Sequence, residues 1–183
     1  MFAKSRKVTL MITAVLALVM LAGCTGTNGG GTVTLLEGET GNGTFVAGEA
    51  TIAVSATCND HKDGFRSTLH VTDNNNGANF TAILPWTPVA NIAADYTDAD
   101  FSTCEEAAAY MEANGFSAAG GLINSQGQEV GTAGVLVGAP GSLPGVCGDL
   151  QPLQIGAIGP DDVLPGGFYA AYGCLDQGKI NFQ

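Results

Sequence analysis

Residues 50–58 read ATIAVSATC, an alternating stretch that predicts a β-strand. The even-numbered positions run from Ala50 through Ile52 and Val54 to Cys58, and mostly polar residues separate them. Successive side chains of a strand point to opposite faces, so a period of two places the even-numbered set on one face. We expect that face to be buried, and Cys58 with it, as a structural disulfide would require.

Similar strand patterns occur on both sides of this stretch. Asn76-Gly77 predicts a hairpin turn, because both residues tolerate positive φ. A second hairpin is predicted around residues 125–128. The remaining predicted strands cover residues 32–36, 68–72, 80–84, 118–123, 130–137, 168–174 and 179–182.

One helix is predicted at residues 102–114. Ser102 and Glu105 have the spacing of a capping box, in which each side chain satisfies a free N–H at the helix start. Gly115 follows as a C-terminal stop. Because strand patterns dominate, we expect an α+β fold that is mainly β. Its predicted form is an antiparallel sandwich or open barrel with this one helix packed on it.

The segment 138–167 has a different composition, with five prolines and many glycines. Proline and glycine at this density argue against long regular elements. The segment is nevertheless too apolar for a disordered one. We therefore expect either an apolar flap over the core or a surface that faces a partner. The predicted partner-contact residues are Leu150, Leu153 and Ile155.

The N-terminus has the pattern of an export signal. Lys4, Arg6 and Lys7 precede an apolar run over residues 8–23 that ends in small residues. The last residues of this region, 21–24, read Leu-Ala-Gly-Cys and resemble the lipobox of bacterial lipoproteins. The resemblance covers residues 1–24 only. It implies that residues 1–23 are a cleaved signal peptide and that Cys24 becomes the lipidated, palmitate-bearing first residue of the mature chain.

Two alternatives to lipidation are a transmembrane helix and an ordinary signal that leaves Cys24 unmodified. The run is shorter than the about 20 apolar residues that a membrane span needs. Lipidation implies a location in the cell envelope, held by acyl chains. Thr25, in place of an Asp, favours the outer membrane if the cell is Gram-negative. Residues 24–31 predict a lipidated cysteine with a flexible Gly-rich tether, and residues 32–183 a single disulfide-stabilised domain.

The charge of the mature chain excludes one class of partner. Removal of residues 1–23 takes away three of the six Lys and Arg residues and none of the 17 acidic ones, so the formal charge becomes 3 − 17 = −14. Nucleic-acid binding needs Lys and Arg at the phosphates, so we expect no nucleic-acid partner. Solubility, or life in salty water, explains the acidity without a specific ligand.

Four cysteines remain after Cys24, and an even count in an exported chain favours two disulfides. Three connectivities are possible. We favour the pairing of sequence neighbours, Cys58–Cys104 with Cys147–Cys174. Since no two of them form a C-x-x-C pair, a cysteine metal site is not favoured.

Other motifs that carry chemistry are weak. Asp95, Asp98 and Asp100 could supply oxygen ligands to calcium, although acidic residues before a helix are also stabilised by its dipole. The EF-hand pattern fails there, and no HxH, HExxH or G-x-S-x-G sequence occurs. Asn42-Gly43-Thr44 and Asn79-Phe80-Thr81 are glycosylation sequons, which a bacterial lipoprotein would seldom use.

These observations predict a non-catalytic, envelope-anchored lipoprotein that binds a partner protein or supports a surface assembly, with no cofactor. The alternatives are an exported module that binds a small ligand or calcium and, less favoured, an exported enzyme.

Overall fold

The computed structural model describes residues 26–58, 65–88 and 104–179. Eight strands account for most of this part of the chain, and they alternate in direction. They are β1 (Gly26–Thr40), β2 (Gly48–Cys58), β3 (Phe65–Asp73), β4 (Ala78–Pro88), β5 (Phe116–Ile123), β6 (Glu129–Val137), β7 (Gln151–Ile158) and β8 (Phe168–Lys179). A helix, α1 (Cys104–Asn114), precedes β5, and a short 3₁₀ turn (Pro165–Gly167) precedes β8.

The strands form a closed barrel in which each pairs with its neighbours in sequence and β8 pairs with β1. The closing seam runs from the Gly30–Lys179 pair to the Thr40–Tyr169 pair, with two irregularities in register. The prediction of a mainly β antiparallel fold is therefore confirmed, whereas the sandwich or open barrel is wrong. Closure removes the unpaired edges that both of those arrangements would leave.

The barrel interior is filled with side chains. Alternate residues of every strand point inward and form one apolar core, including Val33, Ile52, Leu69, Ala82, Leu122, Val135, Ile155 and Ala171. Eight strands enclose a space that is just wide enough for side chains to fill. Most of the predicted alternation at residues 50–58 is thus realised, since Ala50, Ile52 and Val54 are buried.

The two ends of the barrel differ. We call the end that carries the connections 41–47, 74–77, 124–128 and 159–167 the hairpin end, and the opposite end the helix end. Helix α1 lies between the end of β4 and the start of β5, with Met111 buried. The predicted helix is present, while its predicted N-cap, Ser102, lies outside the described residues.

Strand β7, with eight residues, corrects the prediction that segment 138–167 contains no long regular element. Pro152 is the second residue of β7, and its carbonyl accepts a hydrogen bond from Gly138 N at 2.8 Å. Its missing N–H points to that same side, toward β6, where the paired register begins only at the Val137–Leu153 pair. The proline therefore costs at most one hydrogen bond, to Gly138 at the very end of the ladder, and it is tolerated there.

Strand β1 corrects the predicted tether, because Gly26–Gly31 are part of this strand and pair with β2. Gly30 and Gly31 allow the backbones of the two neighbouring strands to approach β1 closely. A Cβ on Gly30 would overlap the Ile52 carbonyl, and a Cβ on Gly31 would overlap the Gln177 carbonyl. Glycine inside a strand often marks such a close approach rather than a flexible coil.

Candidate functional site

The connection between β6 and β7, residues 138–150, is the largest ordered loop in the described chain; we call it the 138–150 loop. Local hydrogen bonds fix its path. Gly141 N donates to Leu150 O at 3.3 Å and so closes the loop, while Cys147 N donates to Leu143 O at 2.9 Å. Leu150 N donates to Cys147 O at 3.1 Å. These bonds satisfy backbone groups that would otherwise need water.

A disulfide between Cys147 and Cys174 attaches this loop to β8, with a Cα–Cα distance of 5.5 Å. On β8, Gly173 and Leu175 occupy positions that face the barrel interior, and Cys174 lies between them. Its side chain therefore faces outward, and the loop covers it on the outer wall of the barrel. One of the two predicted disulfides is thus present. The side chains of Cys58 and Cys104 lie outside the described residues.

Two apolar side chains project from the 138–150 loop. Val146 is 55% exposed and Leu150 is 37% exposed, on either side of the half-cystine Cys147. They are two of the five large apolar residues that are exposed in the described chain, with Leu36, Val46 and Ile158. Exposed apolar residues that lie close together are candidates for contact with another molecule.

Leu153 and Ile155, predicted as partner contacts with Leu150, are only 2% exposed and face the barrel core. The prediction treated the segment as irregular, whereas the alternation of β7 turns both side chains inward. Of the three predicted contacts, Leu150 alone is on the surface. Val146 was not singled out, although it belongs to the same apolar segment.

The hairpin end contains a buried polar pair that the sequence analysis did not find. Tyr169 Oη donates a hydrogen bond of 3.0 Å to Asp73 Oδ2, and both residues are fully buried. The other Asp73 oxygen accepts the backbone N–H groups of Asn75 and Asn76 at 3.1 and 3.2 Å. The Tyr169 ring packs against Phe80 with a centroid distance of 5.8 Å. The pair therefore ties the β3–β4 turn to β8.

The environment of Tyr169 fits a structural role. Burial raises the pKa of its hydroxyl, and the negative charge of Asp73 and the hydrogen bond to it raise the pKa further. A phenol held neutral in this way does not release its proton near neutral pH. The pair thus behaves as a fixed hydrogen bond rather than as an acid–base group.

A groove of about 550 Å³ lies at the hairpin end, and its lining includes Phe80, which packs against Tyr169. Asn79 and Thr81 form one wall, the 124–127 turn forms another, and Asp162 is the charged residue of the lining. Apolar surface comes from Ile123 and Val163. The lining is dominated by amide and hydroxyl groups, which suit neutral polar ligands better than anions.

The predicted metal and histidine residues are only partly described. Asp95, Asp98, Asp100 and His61 lie outside the described residues. Within residues 26–58, 65–88 and 104–179, no group of three or more His, Cys, Asp or Glu side chains is placed to hold a metal. His70 is exposed on β3, and its two ring nitrogens contact the hydroxyls of Thr81 and Thr72 at 3.0 and 3.3 Å.

Comparisons with protein-family models, curated proteins and solved structures find no match for this chain. Within its described part, no helix is long and apolar enough to cross a membrane.

Proposed function

We propose that this protein is a non-catalytic lipoprotein of the cell envelope that binds a partner protein through Val146 and Leu150. The observation that supports this most directly is the presentation of two exposed apolar side chains by a loop that a disulfide holds to the barrel. The interior of the described barrel is packed with apolar side chains, and its buried Tyr169–Asp73 pair fits a structural role.

The position of β1 bears on how an anchored barrel would be oriented. β1 begins at Gly26, so only Thr25 separates the strand from Cys24. Two residues span at most about 7 Å. A lipid on Cys24 would therefore hold the helix end close to the membrane and turn the hairpin end away from it. The proposed membrane is the outer one if the cell is Gram-negative.

The rigidity of the 138–150 loop supports binding. A loop that is ordered before it meets a partner loses less conformational entropy on binding than a flexible one does. Small clusters of well-placed side chains can dominate the binding energy of an interface. Val146 and Leu150 are proposed to be such a cluster.

Photo-cross-linking in native membranes tests the partner. A photoreactive residue at Val146 is expected to capture one dominant protein, and the same residue at Leu36 is expected to capture none. Leu36 is a matched control, because it is an apolar residue on β1 with 43% exposure. Val146→Asp with Leu150→Asp should abolish capture in a pull-down by the folded full-length chain. Equal capture by the double variant and by Leu36→Asp would refute the role of the loop.

The anchor is tested separately by Cys24→Ser. This variant should lose radiolabelled palmitate and leave the membrane fraction, whereas Ser142→Ala should keep both. Retention of the label by Cys24→Ser would contradict lipidation at this position.

A further inference from the structure

Two Asn-X-Thr sequences of this chain lie at the same end of the barrel. Asn42-Gly43-Thr44 is in the connection between β1 and β2, and Asn79-Phe80-Thr81 is at the start of β4. Both sites are therefore at the hairpin end, far from Cys24 along β1.

The local backbone places the asparagine of each sequence at the surface. In β4, Phe80 points into the core, so Asn79 and Thr81 share the outer face. Asn79 is exposed. Thr81 lies beside it on the groove at the hairpin end and is half-buried, with its hydroxyl 3.0 Å from His70 Nδ1. In the other sequence, Gly43 has a positive φ of 77° and turns the chain outward, with Asn42 and Thr44 both exposed.

Among the described residues, the side-chain amides of Asn42 and Asn79 make no hydrogen bond, although Asn42 lies close to Gly166. Other asparagines at this end do make such bonds. Asn75 Nδ2 donates to Glu49 O at 3.2 Å, and Asn76 Nδ2 donates to Val46 O and to Asp73 Oδ2 at 2.9 and 2.7 Å. A substituent on the Asn75 or Asn76 amide would break hydrogen bonds of the turn, whereas one on Asn42 or Asn79 would break no hydrogen bond among the described residues.

We propose that Asn42 and Asn79 are N-glycosylation sites that receive an oligosaccharide from a lipid pyrophosphate carrier. In this transfer, the amide Nδ2 forms a bond to C1 of the first sugar. The bond from C1 to the carrier phosphate breaks, the lipid pyrophosphate leaves with the electron pair, and the amide proton passes to a base of the transferase. Asn-X-Thr is the acceptor sequence for this reaction in exported chains.

This inference rests on the export part of the proposed function and not on the 138–150 loop. From the export signal we expected these two sequons to be seldom used. The exposure of both asparagines, and the lack of hydrogen bonds from their amides among the described residues, favour modification instead. A glycan on Asn79 would lie over the groove at the hairpin end. The helix end and the 138–150 loop would stay uncovered, so glycosylation and partner binding are compatible.

Tandem mass spectrometry of the full-length chain from its native cells tests the proposal. Peptides containing Asn42 and Asn79 are expected to carry a glycan mass on those residues. Asn42→Gln and Asn79→Gln should each remove one glycan. Thr81→Ala should act like Asn79→Gln, while Thr81→Ser should keep the modification. Asn74→Gln is the matched control, because Asn74 is exposed at the same end and is not followed by X-Thr or X-Ser.

The fraction in which the protein is found separates the two proposals. Unmodified peptides from protein in the envelope fraction would overturn glycosylation and leave the lipoprotein proposal standing. Unmodified protein in the cytoplasm with residues 1–23 intact would overturn both. Glycan on Asn42 and Asn79 in protein that captures no partner would support glycosylation alone.

Discussion

At the scale of single residues, the hydroxyl of Tyr169 is the most informative group. It lies in an apolar core beside Phe45 and Phe80 and donates to the buried carboxylate of Asp73. A buried carboxylate is costly unless donors surround it, and Asp73 has the phenol and the Asn75 and Asn76 N–H groups as donors. The hydrogen bond therefore stabilises one end of the barrel through a contact between two distant strands.

Tyr169→Phe should destabilise the protein by about 1–3 kcal/mol near neutral pH, because the Asp73 carboxylate loses a buried donor. The measurement is urea unfolding followed by circular dichroism. Tyr172→Phe is the matched control, since Tyr172 lies on the same strand and is only half-buried. A loss for Tyr172→Phe as large as that for Tyr169→Phe would contradict a specific role for the Asp73 contact.

The raised pKa of Tyr169 predicts an alkaline limit to stability. Folding holds the phenol proton more tightly than the unfolded chain does. The stabilisation that Tyr169 contributes is thus fully present below about pH 10, which is the pKa of a tyrosine hydroxyl in the unfolded chain. It is lost as the pH rises above that value. Unfolding curves from pH 8 to 11 should show a steeper loss for the wild type than for Tyr169→Phe. Parallel curves would refute the assignment.

At the scale of elements, the 138–150 loop and β7 show how a Pro- and Gly-rich segment can be ordered. The loop gains its order from its own hydrogen bonds and from the link between Cys147 and Cys174. β7 then tolerates Pro152 because the missing donor lies beyond its register with β6. Exposed and buried apolar residues thus follow each other within a few positions, from Leu150 to Leu153.

Replacement of both Cys147 and Cys174 by Ala should lower the free energy of unfolding by about 2–4 kcal/mol, because the unfolded chain gains the freedom of an open loop. The barrel should keep its far-ultraviolet circular dichroism, while capture of the partner through Val146 weakens. The reduced wild type provides the control for the effect of the new side chains. An unchanged urea midpoint in the double variant would contradict this account.

At the scale of the whole molecule, closure depends on the seam between β1 and β8. This seam pairs residues near the two ends of the described chain, and Gly31 and Gly173 allow the two backbones to approach closely there. A Cβ on Gly173 would overlap the Thr34 carbonyl. By contrast, Gly156 on β7 faces open space and has no positive φ, so neither packing nor backbone conformation requires glycine there.

Gly31→Ala and Gly156→Ala form a matched pair of variants that test the seam. Gly31→Ala should destabilise the barrel by more than about 2 kcal/mol, because the new Cβ overlaps the Gln177 carbonyl. Gly156→Ala should be neutral or stabilise by up to about 1 kcal/mol, since alanine restricts the unfolded chain more than glycine does. Melting temperatures measure both, and equal values would refute the tight seam.

Much of the local structure could be predicted from the sequence, because the relevant signals lie within about ten residues of one another. The alternation from Ala50 to Val54, the Asn76-Gly77 turn and the helix that stops before Gly115 are all present. The pairing of Cys147 with Cys174 was the favoured one of three possible connectivities, and it is present. The candidate site was predicted only through Leu150, since the direction of Leu153 and Ile155 depends on where β7 begins.

Tertiary structure alone decided that the sheet closes and that the glycine-rich residues 26–31 belong to β1. It also decided which polar groups meet in the core. The β1–β8 pairing and the Tyr169–Asp73 hydrogen bond join residues about a hundred or more positions apart. No local period or turn motif encodes such contacts. They form because eight twisted strands with one apolar face each bury that face most completely when the sheet closes on itself.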